Sequence, residues 1–445
     1  MTTQVSRRVL IVTGDPLGAR LSGPGIRAWQ IAQSLSVSHD VRLISFTRAE
    51  TSSTDFMVTF VRPKDNRAMA AHEKWADVII IQGHVLGVFR RLRRSRKKMV
   101  VDIYDPMHLE QLEQGRHLGP SAWRDRIASA DRSLDFQLRR GDFFMCASER
   151  QRMFWLGQLM SAGRINPDTY AADVTLRNLI DVVPFGLSRE LPQVTGSAIR
   201  GVVPGIGPKD KVLLWSGGLY DWFDPLNLIR AVAELAKRRP NVRLFFMGTQ
   251  HPNPDVPPMP IVQKSRDLAA ELGVLDSHVF FNDQWVDFDK RQNYLLDADA
   301  GVSTHFDHVE TQFSFRTRIL DYLWTKLPMV VTTGDYFADL VAEQGLGRVV
   351  SAEDVAALAA ALEDVLYTAK DRVTMRDHLT KVREKFFWDV VLTPLITYVN
   401  DVTYAADHED LSRSGFRLPL LVRVGYLAAS VRHRWVRGRD MLLRR

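Results

Sequence analysis

Cysteine is all but missing from this sequence: Cys146 stands alone among 445 residues. An intramolecular disulfide is therefore excluded, and the chain fits a reducing compartment. The setting of that thiol, Phe143-Phe144-Met145-Cys146-Ala147, is apolar, which predicts a buried structural side chain rather than a reactive one. Clusters of Cys and His at zinc spacing are absent as well, so no bound metal is expected. No stretch approaches the roughly 18 uninterrupted apolar residues of a spanning helix. The start, MTTQVSRRVLIV, passes into an apolar run too short for a secretory leader, with no cleavage pattern behind it. These absences predict a cytoplasmic, globular chain.

Acids are scarce in one segment. From Leu411 to Arg445 nine arginines face a single acid, Asp440, so that segment carries +8 of a net +7 and the remainder −1. Leu420, Val424, Leu427, Ala428, Val431 and Trp435 recur there at helical spacing, with the arginines largely elsewhere around the wheel. The pattern predicts a C-terminal basic amphipathic helical tail resting on an anionic membrane surface, hence peripheral association with the inner face of a membrane. A helix packed on the body is the plainer alternative. Arg90–Lys98 forms a second basic run. No recognised nucleic-acid fold accompanies either cluster, so no nucleic-acid partner is expected.

What the body does contain is an alternation of short apolar runs with helical patterns. Val9–Val12, Val41–Ile44, Val78–Ile81, Met99–Val101 and Phe143–Met145 read as strands apolar on both faces, the mark of a parallel sheet covered by helices. A stretch rich in Gly and Pro follows, and then the pattern restarts with Val212–Trp215, Val242–Gly248, Val279–Phe281, Gly301–Ser303 and Met329–Val331. The reading is α/β, with two Rossmann-like domains facing a cleft. Residues 1–190 form the first domain, 191–210 a linker, 211–390 the second domain, 391–410 a helix returning toward the first, and 411–445 the tail.

The densest chemistry lies in Val309–Val331. Glu310 stands on a loop, Ser314-Phe315 makes a small turn, Arg316 and Arg318 open a helix, and Asp321 sits inside it before Leu327-Pro328. A helix start offers free N–H groups and partial positive charge to an anion, and arginine forks match phosphate oxygens. Acids beside such a site suit sugar hydroxyls. Asp297-Ala298-Asp299 and Asp287-Phe288-Asp289 spell a DxD metal motif, but helix-end and strand-start positions explain the first pair by turn chemistry.

Taken with Val183-Pro184-Phe185-Gly186, Ser216-Gly217-Gly218-Leu219, Asp299–Ser303 and the loop Ser22-Gly23-Pro24-Gly25-Ile26-Arg27, that block resembles the GT-B glycosyltransferases, in particular glycosyltransferase family 4. The resemblance covers roughly residues 7–400. It implies a retaining transferase that moves a hexose from a nucleoside-diphosphate sugar, as co-substrate and without further cofactor, to a saccharide or lipid-linked acceptor in envelope glycan synthesis. The first domain would take the acceptor and the second the donor. Asp321 matches the family's ribose-holding acid, and Glu310 its sugar-side acid, displaced by three positions. The family's diphosphate cations after the first strand of the second domain are missing from Gly217–Pro225, which leaves Arg316 or Arg318 to replace them. Since i and i+2 diverge on a helix, only one is expected to reach phosphate, Arg316 ahead of Arg318. Gly217, Gly218, Ser314, Phe315, Trp285, Val286, Gly23 and Gly25 complete the implied donor site. Asp105 and His108 join Glu310 as catalytic candidates near sugar or acceptor. Ser148 is explained by helix capping. Two other functions use the same features: a nucleotide-sugar epimerase, which needs no acceptor, and a non-catalytic polyanion-binding scaffold.

Overall fold

The computed structural model describes residues 5–249, 259–368 and 370–409. The first sheet joins seven parallel strands: β1 (Arg8–Thr13), β2 (Asp40–Ser45), β3 (Met57–Phe60), β4 (Val78–Gln82), β5 (Lys98–Asp102), β6 (Phe143–Cys146) and β7 (Ile180–Val182). Their order is β3-β2-β1-β4-β5-β6-β7. All five residues of β4 are buried, as the sheet's centre requires with helices on both faces. The second sheet holds β8 (Lys211–Trp215), β9 (Val242–Phe246), β10 (Val279–Phe281), β11 (Ala300–Ser303), β12 (Met329–Thr332) and β13 (Gly347–Val350), ordered β10-β9-β8-β11-β12-β13 and again parallel.

In each sheet the strand order reverses once, between β1 and β4 and between β8 and β11. Loops leaving the carboxyl ends of strands at such a point diverge and open a crevice. Here the two crevices face each other. Cys146 lies fully buried within β6, and burial pushes its thiol well above the ordinary range.

The linker is tied down by the acids of the first DxD spelling. Asp297 accepts hydrogen bonds from the Ile199 and Arg200 amides at 2.9 and 2.8 Å, and Asp299 accepts from Val212 at 2.9 Å while pairing with Arg200 and Lys211. Past the second sheet the chain returns to the first domain: Tyr398 stacks on Phe143 at 4.5 Å, and Asp407 pairs with the buried Arg164 at 2.7 Å. The basic tail predicted for residues 411–445 lies outside the described residues. Among those described, no helix is long and apolar enough to cross a membrane.

Candidate active site

Between the domains lies a cleft of about 1040 Å³, at the upper end of what small-molecule sites enclose. Asp105, Ser314, Phe315, Arg316, Arg318, Asp321, Gly217, Gly218, Trp285, Val286 and Gly23 line it; Glu310, His108 and Gly25 do not. The domains touch across its rims. Trp285 Nε1 donates to the Leu21 carbonyl at 3.1 Å, and Gln151 Nε2 bridges the carbonyls of Tyr104 (2.8 Å) and Phe313 (2.7 Å). Ser148 caps the helix that presents Gln151, accepting from its amide at 3.1 Å. Gln151 is absent from the sequence-based candidates, for a lone Gln in a first helical turn carries no signal.

On the first-domain wall, Asp102 at the end of β5 anchors everything above it. Its carboxylate takes Arg27 Nε and Nη2 at 2.7 and 2.9 Å and Gln82 Nε2 at 2.9 Å, all fully enclosed. Arg27 also holds the carbonyls of Val183 and Pro184. The chain therefore leaves β5 in a fixed direction, and Tyr104-Asp105-Pro106 enters the cleft. Helix Met107–Gln114 follows and brings Glu110 back beside Asp105 from its first turn. Glu110 donates a hydrogen bond to Asp105. Burial, then the charges of Asp105 and Glu310, hold the Glu110 carboxyl well above the ordinary range, so it stays protonated. Burial also raises Asp105, to about 6, with Glu310 and Asp102 adding to the rise and the Glu110 hydrogen bond and Arg316 opposing it. An acid in a first helical turn, five residues beyond a loop acid, is the signal that could have found Glu110.

His108 turns away from the cleft. It stacks on Phe154 with ring centroids 5.5 Å apart, its Nε2 lies 3.3 Å from the Gln158 amide, and burial lowers it to about 4. Two residues along the helix, about 200° around its axis, separate it from Glu110. Gly23 opens helix Gly23–Ser36 at the cleft, but the Gly25 amide donates inward to Asp15 Oδ2 at 3.2 Å, and a Cβ at Gly25 would come 3.3 Å from the Pro16 carbonyl. Gly25 serves the turn, and the helix start is already occupied by the chain's own carboxylate.

The second-domain wall differs from the sequence-based picture at the Glu310 block. Glu310 lies not on a loop but in a short helix, Val309–Phe313, and a separate helix begins only at Arg318, because Ser314 is extended (ψ 157°). The break turns Arg316 back onto Glu310. Nη1 and Nη2 meet the two carboxylate oxygens at 2.9 and 2.7 Å, with both residues at most 5% exposed. Glu310 is thus sealed behind Arg316 and reaches the cleft only through its field. Of the two arginines, Arg316 is the committed one.

Arg318 is not. Its Nη2 donates to the Gly218 carbonyl at 3.0 Å, its guanidinium lies 4.0 and 4.2 Å from the ring centres of Trp215 and Phe223, and its buried Nη1 has no hydrogen-bond partner among the described residues. Burial lowers it to about 10. Gly217 beside it has φ +79°, a left-handed backbone natural to glycine. At Gly218 a Cβ would meet Tyr220 at 3.1 Å and Trp285 at 3.2 Å. Together the pair lets a ligand approach the backbone next to an unpaired cation.

Asp321 accepts from Ser216 Oγ at 2.6 Å and faces Arg291 at 3.4 Å, leaving its carboxylate partly exposed to the cleft. Tyr322 fixes the same helix from below, its hydroxyl at 2.9 Å from the carbonyls of Leu214 and Val302. Gly301 makes that possible, because a Cβ there would fall 2.6 Å from the Tyr322 ring. Arg291, lodged against Phe288 and Trp324, is a further cleft cation that the sequence did not mark.

The fold and cleft are those of the GT-B class. Residues 210–368, the second domain, match the family model described as glycosyl transferases group 1. No curated protein matches the chain by sequence. Among solved structures, WaaG, titled a glycosyltransferase involved in lipopolysaccharide biosynthesis, aligns with TM-score 0.59 at 17% identity, over 88% of this chain and 99% of that one. HepE of Anabaena, solved in complex with UDP-glucose, gives 0.62 at 14% over 89% and 100%. Sucrose-phosphate synthase from Thermosynechococcus elongatus gives 0.62 at 14% over 89% and 99%.

Asp105→Asn should stabilise the fold at pH 7–8 by on the order of 1–3 kcal/mol, since a raised carboxyl pKa marks a buried charge that costs free energy. The sign follows from proton binding: between the unfolded value near 3.8 and the folded value of about 6 the native state holds the extra proton, so native stability falls as pH rises through that window. Urea midpoints should separate above pH 6 and converge toward pH 4. Equal midpoints at pH 8 would contradict the burial cost.

Proposed function

We propose that the chain is a retaining glycosyltransferase that transfers a hexose from a nucleoside-diphosphate sugar to a saccharide or lipid-linked acceptor. The observation that carries this reading is Arg318: a buried guanidinium, unpaired by any carboxylate, beside Gly217 and Gly218 at the carboxyl end of β8. An uncompensated buried cation next to an open backbone suits a diphosphate. Asp321, a short distance along the same wall, offers a carboxylate to ribose hydroxyls. Trp285 and Val286 give the base an apolar wall.

In the transfer, the acceptor hydroxyl oxygen bonds to the anomeric carbon as the bond from that carbon to the diphosphate oxygen breaks. The electron pair leaves with the diphosphate, which takes the hydroxyl proton. Arg318 stabilises the charge that grows on the leaving group. The first-domain wall orients the hydroxyl, so positioning and electrostatics account for the rate. The group 1 match and the UDP-glucose complex of HepE support this reading.

The test is a thermal-stability screen with UDP-, GDP-, ADP- and TDP-sugars; a ligand at 100 times its Kd adds about 2.7 kcal/mol of apparent stability. Asp321→Ala should weaken the nucleotide that scores by about 1–3 kcal/mol, the scale of a hydrogen bond to a charged group. Undiminished nucleotide affinity in the folded variant removes Asp321 from the ribose.

A further inference from the structure

The cleft's two walls differ in charge. On the second-domain wall Arg316 is matched by Glu310 and Arg291 faces Asp321, which leaves Arg318 as a cation with no carboxylate against it. The first-domain wall is the reverse. The carboxylates of Asp15 and Asp105 line it beside the protonated Glu110, and the helix start at Gly23, which could otherwise draw an anion, is occupied by Asp15, which also accepts from Ser22 Oγ. The cation that this domain contributes to the lining is Arg189, and it is held at the rim by Asp389 at 2.6 Å. Gln30, Gln33 and Gln114 add neutral amides. Such a surface matches hydroxyls and repels phosphate, by charge and by the lack of any free donor fork.

With the first domain as the acceptor side that the family resemblance implies, we propose that this wall takes a polyhydroxylated saccharide bearing no phosphate near the reacting hydroxyl. The inference rests on the glycosyl-transfer reading and names its second substrate's class. One carboxylate of the wall accepts from sugar hydroxyls, the protonated Glu110 and the amides complete the set, and a phosphate would sit against acids with no counter-cation. Selectivity lies in repulsion as much as in contact.

The experiment uses the full chain and whichever of UDP-, GDP-, ADP- and TDP-glucose stabilises it. Transfer is measured to glucose, mannose and maltose and to glucose 6-phosphate, mannose 6-phosphate and glucose 1-phosphate. A neutral sugar should be used with kcat/KM about 10²-fold or more above its phosphate. Glu110→Lys, or Gln30→Lys if the first variant fails to fold, should narrow that ratio at least tenfold. Phosphates used as well as neutral sugars overturn the inference, as does donor hydrolysis with no transfer to any neutral sugar, while nucleotide stabilisation would keep the donor reading intact. A chain that no nucleotide stabilises overturns the reading beneath it, and this inference falls with it.

Discussion

Arg318→Gln should make the ligand-free chain more stable, remove most of its stabilisation by nucleotide, and lower turnover by about 10²–10³-fold, the usual effect of deleting one transition-state charge stabiliser. The three effects share a cause. Burial against Trp215 and Phe223 without a carboxylate partner lowers the Arg318 guanidinium to about 10. A base whose folded pKa lies below its unfolded value is penalised for being charged, and the penalty persists through neutral pH, fading only as pH climbs above about 10. At roughly 1.4 kcal/mol per unit it amounts to a few kcal/mol. A bound diphosphate supplies the missing counter-charge and cancels it. Calorimetry of apo and nucleotide-bound protein, with initial rates, measures all three. A variant that is less stable when empty and just as strongly stabilised by nucleotide would show Arg318 to be a packing residue.

This prediction also shows where sequence reasoning stopped. The expectation that Arg316 or Arg318 serves a diphosphate came from the absence of any cation in Gly217–Pro225, and it put Arg316 first. Choosing between them required the extended Ser314, which ends one helix before the next begins and so returns Arg316 to Glu310. A helix run continuously from 316 hides that break, because the residues around it are all compatible with helix. The strands were legible wherever both faces are buried, as in β1, β4 and β8. The edge strand β3 was not: Met57 and Phe60 are 49% and 46% exposed, so no continuous apolar run marks it. The edge strand β13, only half-buried over three of its four residues, escaped for the same reason. In the first domain Asp105 was legible from its place after β5. Its partner Glu110 was not, because the pairing depends on where helix Met107–Gln114 starts, and His108 was chosen from the same segment because the resembled family carries a His or an acid there.

Arg316→Ala should destabilise the fold by about 3–5 kcal/mol, more than any other substitution discussed, because it strands a buried carboxylate. Glu310 is 2% exposed and takes both of its charged hydrogen bonds from Arg316. His308 Nδ1 at 3.8 Å is too far to replace them, and burial lowers that imidazole, which leaves it largely neutral at pH 7. The loss would spread to Asp335, 3.8 Å from Arg316 Nε, and to Asp105, whose charge would then have one cation fewer nearby. Glu310→Gln should cost less, since the amide still accepts one hydrogen bond from the guanidinium. Replacing both residues by leucine should recover much of the stability, as apolar substitutes for buried ion pairs often do. Turnover separates the roles that stability cannot. If the pair only shapes the wall, the double leucine variant keeps nucleotide affinity and loses turnover by less than tenfold. If the Glu310 field sets the protonation of Asp105 and Glu110, Glu310→Gln shifts the acid limb of the pH–rate profile to lower pH, because it removes the nearby negative charge while keeping the Arg316 cation, and both act to lower the two carboxyl groups. An unshifted limb with turnover reduced more than a hundredfold would point instead to direct contact between Glu310 and the donor sugar in a rearranged complex.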